Sequence, residues 1–241
     1  MGPGECSGRP AEPHLSSLLV DMEGGWQRGV SGFPGCATVA GVDLRTWITA
    51  DLTALRDRFH HGIAAHVPPE RWTARIAPVG SDPDRPGRPS SSIAWLLFHL
   101  SYHQDLAINA AVRGRAPLLV ARRDGLGIVG APPEAGLPER EDPALADVLD
   151  PRALAGYFDD VVASTLEWVG QAHPDALDTV PDACRRIEDE AGVRATEVPW
   201  LHAMWEAKPV SWFAQWEAVG HGHTHVGEMT GLRGQLGLSP F

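Results

Sequence analysis

Lysine is almost missing from this chain: of 20 basic residues only Lys208 is a lysine, and 31 acidic residues leave a formal charge of -11. No Lys/Arg-rich stripe interrupts that acidity. Bulk electrostatic binding to nucleic acid or to an anionic membrane is therefore excluded, since either needs a basic surface that displaces counterions. Cysteine is scarce as well. Cys6, Cys36 and Cys184 are odd in number, widely separated and form no C-x-x-C, which argues against a disulfide framework or a zinc ribbon. No uninterrupted apolar stretch approaches the roughly 20 residues that span a bilayer, and the N-terminus lacks a basic start followed by an apolar run. These absences lead us to expect a cytoplasmic protein with reduced thiols and a small-molecule substrate. A Ser-His-Asp order, a phosphate-cradling glycine loop and a dinucleotide fingerprint are likewise missing.

What is present is enough for a sizeable core, with 43% hydrophobic residues, nine tryptophans and 11 histidines in 241 positions. Residues 1–42 are rich in Gly, Pro and Ser and predict a poorly packed or disordered extension. From Asp43 onward Leu44, Ile48, Leu52, Leu55, Phe59 and Ile63 recur at helical spacing, until Pro68-Pro69 ends the run. Punctuation predicts a loop over 80–89, then Ser90 to Ser92 offer N-caps for a second helix reaching about Gly114. Residues 115–150 predict a long irregular connection. Leu154, Phe158, Val161, Thr165 and Trp168 mark a third helix that stops before Pro174, and a fourth runs from near Ser211 to near Gly237. The expected fold is all-α: a single four-helix bundle over 43–241 with long connecting loops, an architecture that builds metal sites between facing helices.

Two histidine pairs stand out. His221 and His225 lie four residues apart, one turn of helix, and His99 and His103 repeat the interval. At 100° per residue Glu217, His221, His225, Glu228 and Leu232 share a narrow stripe, while His223 falls on the opposite face. Trp95, Leu96, His99, His103 and Leu106 form another stripe, so these histidines should face the interior, where an imidazole needs a partner. His221 and His225 with His99 then offer three nitrogen ligands and an open position, as in a catalytic zinc site, although Fe(II), Ni(II) or Mn(II) suits the same nitrogens. Glu228 stands one turn past His225, placed to orient a ligand or to accept a proton, and His103 is a further candidate for the proton. Trp95 is the aromatic best placed to wall the pocket, and Arg233 is a candidate for gripping a carboxylate or the hydroxyls of a cofactor.

The segment Ser92-Ile-Ala-Trp95-Leu-Leu-Phe-His99-Leu, the loop Arg123-Asp124-Gly125 and the ending His221-x3-His225-Val-Gly-Glu228-x3-Leu232-Arg-Gly234 resemble the DinB-like four-helix bundle superfamily. That group includes mycothiol-dependent enzymes and the bundle domain of ergothioneine-forming sulfoxide synthases. The likeness spans about Asp43 to Gly237. It implies a divalent metal on His99, His221 and His225, and no role in nucleic-acid binding despite the family's name. The synthases and the mycothiol-dependent maleylpyruvate isomerases carry an additional domain for which this sequence has no counterpart, so their full reactions are not expected here.

The leading expectation is a metal-dependent thiol S-transferase. The metal would activate a low-molecular-weight thiol, with mycothiol or bacillithiol as candidates, for attack on a small electrophile. The alternatives are a metal-dependent hydrolase or isomerase at the same site, or a non-catalytic metal-binding bundle that works as a homodimer or interaction module.

Overall fold

A computed structural model describes residues 43–77 and 89–240. The extension expected over 1–42, and most of the loop expected over 80–89, lie outside the described residues. Among those described the structure is helical, without strands. Four long rods dominate. The first is α1 (Leu44–Phe59), prolonged by a π-helical stretch at His60–Ala64; the second is α2 (Ile93–Asp105), prolonged by another at Leu106–Val112. Between the second and third rods lie the single turns α3 (Leu119–Arg122) and α4 (Pro143–Ala146). The third rod is α5 (Pro151–Gln171). Two shorter helices follow, α6 (Ala183–Ala191) and α7 (Pro199–Trp205). The last rod joins α8 (Val210–Trp212), a π stretch at Phe213–Gly220 and α9 (His221–Gln235).

Local chemistry explains where the rods begin. The side chains of Asp43, Ser92 and Asp150 each accept a hydrogen bond from the backbone N–H three residues on, at 2.7, 3.2 and 2.7 Å. Each satisfies one of the orphan donors at a helix start, and Pro151 supplies a pre-set φ at the first helical position of α5. The polar stretch Arg185–Glu190, given no structure by periodicity, forms α6, capped by Asp182 and ended by Gly192 at φ 69°.

In the bundle, α1 and α2 each pack against α5 and α9, and α6 covers the π stretch that ends the second rod. Every residue of α2 is buried. A helix enclosed on all sides must satisfy its polar groups internally. Asp105 shows how: its carboxylate accepts from Asn109 Nδ2, from the backbone N–H groups of Leu118 and Leu119, and from the Tyr157 hydroxyl, all within 2.7–3.0 Å. One side chain thus ties α2 to α5 and to the start of α3. Asp105→Ala should strand two backbone amides, the Asn109 side-chain amide and a hydroxyl, lowering the unfolding free energy by about 3 kcal/mol or more. Urea denaturation checks this, and an unmoved midpoint would contradict it.

Candidate metal centre

α9 begins at His221 directly after a π stretch, and one turn separates His221 from His225. Here α9 approaches α1 closely: a Cβ on Gly222 would lie 2.6 Å from Leu55 Cδ2. Across the bundle α2 presents His99, whose ring centroid is 5.0 Å from that of His221 and 4.9 Å from that of His225. All three imidazoles are buried, with 1%, 5% and 3% exposure. His221 Nε2 and His225 Nε2 stand 2.8 Å apart, and His99 Nε2 is buried without any hydrogen-bond partner.

The outer nitrogens explain that arrangement. His99 Nδ1–H donates to the Gly136 carbonyl at 2.8 Å, and His225 Nδ1–H donates to Glu228 Oε2 at 3.0 Å. Holding the Nδ1 proton on an acceptor leaves the Nε2 lone pair for a ligand and fixes the ring's rotation. The Gly136 carbonyl reaches His99 because the connector crosses α2 at van der Waals distance. Gly136 has φ 96°, and a Cβ there would fall 2.2 Å from Phe98 Cε1, so only glycine fits.

The same connector brings in a residue that periodicity missed. Glu139 places its carboxylate 3.6 Å from His99 Nε2, 3.8 Å from His221 Nε2 and 3.9 Å from His225 Nε2. The neighbouring imidazoles, His221 first and then His99, hold its carboxyl well below the usual carboxylate range. Its side chain is 72% exposed, in contrast to the enclosed rings. One atom each from His99, Glu139, His221 and His225 lie within 4.8 Å of one another, a group able to hold a metal ion. Three imidazole nitrogens and one carboxylate suit a divalent ion of borderline hardness, and the buried, unpartnered His99 Nε2 is the atom such an ion would satisfy. His103, Glu217 and His221 form a second group of that kind, also buried.

A family model described as the DinB superfamily matches residues 52–229. The chain belongs to the DinB superfamily. A solved structure described as the conserved protein of a locus from Enterococcus faecalis shares the fold, with a TM-score of 0.55 and 17% identity over 80% of this chain and 96% of that one. No curated protein matches significantly.

Within this DinB bundle the remaining sequence-predicted residues take different places. Glu228 bonds the outer nitrogen of His225, so its carboxylate orients that ring and does not reach the face where the Nε2 atoms converge. His103 was expected to accept a proton, but both its nitrogens are engaged: Nδ1 with Glu217 Oε2 at 3.3 Å, Nε2 with the Leu137 carbonyl at 2.9 Å. Burial opposes its charge, but the bond to Glu217 and that residue's charge outweigh it and raise the pKa. Trp205 Nε1 donates to the other oxygen of Glu217 at 2.7 Å, completing a buried anchor behind the cluster. Trp95 is 1% exposed and stacks beside His99 with centroids 6.3 Å apart, supporting that ring from inside the core. Arg233 lies about 80° round α9 from His225 at 100° per residue. It donates to the Gly62 carbonyl and lines a different pocket, away from the three Nε2 atoms. The aromatic faces that reach solvent beside the cluster are Trp200, 6.2 Å from the His103 ring, and Trp216, 6.2 Å from the His221 ring.

The electrostatics give a signed pH dependence for the metal-stripped protein. Burial, then the charge on His103, lowers the His99 pKa from 6.5 to about 4, and burial first lowers that of His221. Below pH 6.5 the unfolded chain therefore binds more protons at these two rings than the native state does, and their contribution to stability falls as pH drops. His103, with its raised pKa, works in the opposite sense. The informative quantity is thus the difference between wild type and His99→Gln: the variant should lose less stability between pH 6.5 and about 4. Parallel thermal-unfolding profiles for the two proteins would contradict this.

Proposed function

We propose that this DinB-superfamily chain is a metal-dependent thiol S-transferase, with His99, His221 and His225 holding a divalent ion, zinc first and iron, nickel or manganese as alternatives. The observation that supports it is the buried, convergent Nε2 face bordered by a single solvent-reaching carboxylate, Glu139. A divalent ion held by His99, His221 and His225 would supply a Lewis acid that lowers the pKa of a thiol. Glu139, at the solvent edge of the site, accepts a hydrogen bond from the thiol and directs its proton outward to solvent water. Glu228 and the Gly136 carbonyl keep two of the rings aimed, while the His103–Glu217 pair backs the cluster with a fixed charge distribution. Trp200 and Trp216 offer flat apolar faces to the electrophile. The sulfur then forms a bond to an electrophilic carbon, and the leaving group departs with the displaced electron pair.

The resemblance to mycothiol-dependent enzymes makes mycothiol the first thiol to test, with bacillithiol and glutathione as comparisons. Turnover of a chlorinated aromatic electrophile should require both thiol and metal. Glu139→Gln should lower kcat about 100-fold or more with metal content retained, and His225→Ala should abolish metal binding and turnover together. Turnover indifferent to chelator would overturn the metal role. Thiol-independent hydrolysis of an ester or amide would replace the transferase reading with a hydrolase.

A further inference from the structure

The face of α9 turned away from the three Nε2 atoms meets the end of the first rod in a second pocket of about 600 Å³. Arg58, His61, His66, His223 and Arg233 line it, and Asp57 is the one carboxylate-bearing residue in the lining. Such a concentration of basic groups is unusual in a chain of charge -11. Other arginines are paired with acids: Arg75 with Glu141, Arg122 with Asp160, Arg194 with Glu197. Arg58 and Arg233 have no carboxylate within ion-pair distance among the described residues. Arg58 NH1 contacts His223 Nδ1 at 3.3 Å, and as a guanidinium can only donate, it holds that nitrogen as acceptor and leaves the proton on Nε2.

Arg233 is 7% exposed, its NH1 is used by the Gly62 carbonyl, and its Nε is buried with no partner. A buried guanidinium donor without an acceptor, in a pocket short of carboxylates, lacks an oxygen that the described residues do not supply. We propose that this pocket binds a small molecule through an oxyanion, a phosphate or carboxylate group held by Arg233 and Arg58. The volume exceeds that of a bare ion and leaves room for an organic body. None of the pocket's lining residues belongs to the metal-binding group, so the proposal does not rest on the thiol-transferase reading.

Isothermal titration of the full chain, metal-loaded, with inorganic phosphate and with citrate under matched chloride tests it. The expected result is saturable one-site binding of at least one anion, weakened tenfold or more in Arg58→Gln and in Arg233→Gln, and retained in His225→Ala. Tighter binding of phosphate assigns a phosphorylated ligand, tighter binding of citrate a carboxylate, and equal binding the shared oxyanion chemistry. Arg58 is on the exposed side of the pocket, so its variant decides the matter if Arg233→Gln does not fold. Absence of saturable binding up to 10 mM, binding undiminished in Arg58→Gln, or binding lost in His225→Ala would each overturn the proposal. The metal-site reading would stand in all three cases, the last placing the anion at the metal.

Discussion

The candidate site depends on the hydrogen bonds that a backbone loop makes to a fully enclosed helix. α2 has no exposed side, so its histidines must find acceptors inside the protein, and the carbonyls of Gly136 and Leu137 provide them at 2.8 and 2.9 Å. That requirement pulls the connector onto the helix, demands glycine at position 136, and delivers Glu139 to the imidazoles three residues later. The loop therefore orients one imidazole and brings a carboxylate to the edge of the site. Without the Gly136 carbonyl His99 would be a buried imidazole with neither nitrogen satisfied, at a cost of several kcal/mol.

The two metal-capable groups share His221, but their surroundings differ. On one side Nε2 meets His225, His99 and an exposed carboxylate; on the other, Nδ1 lies 3.8 Å from Glu217, which is already bonded to His103 and Trp205. The first group opens toward solvent through Glu139 and suits exchange of ligands. The second is sealed, and its charges are compensated within the protein. This asymmetry separates the side chains at the solvent edge of the convergent nitrogens from those that hold the cluster in place.

The sequence made the rods and the three histidines legible for one reason: both are written in helical periodicity. An i,i+4 interval on an apolar stripe survives folding because the helix itself enforces it, as His221 and His225 show. Glu139 is invisible to the same logic, since it sits in an irregular connector where spacing along the chain says nothing about direction in space. The π stretches before His221 and after Asp105 carry no composition signal either, being set by packing. Arg233 follows the same rule: the wheel turns it away from the histidine stripe, toward the pocket at the end of the first rod. α6 could have been found from Asp182 and Gly192, which bracket it as N-cap and left-handed terminator.

The coordination shell itself is the central claim, and X-ray absorption at the metal edge of reconstituted protein tests it most directly. The account predicts scattering from three imidazoles together with an oxygen at about 2.0–2.2 Å, and the loss of one imidazole in His99→Gln. A shell with fewer than three imidazoles, or one unchanged in that variant, would contradict it.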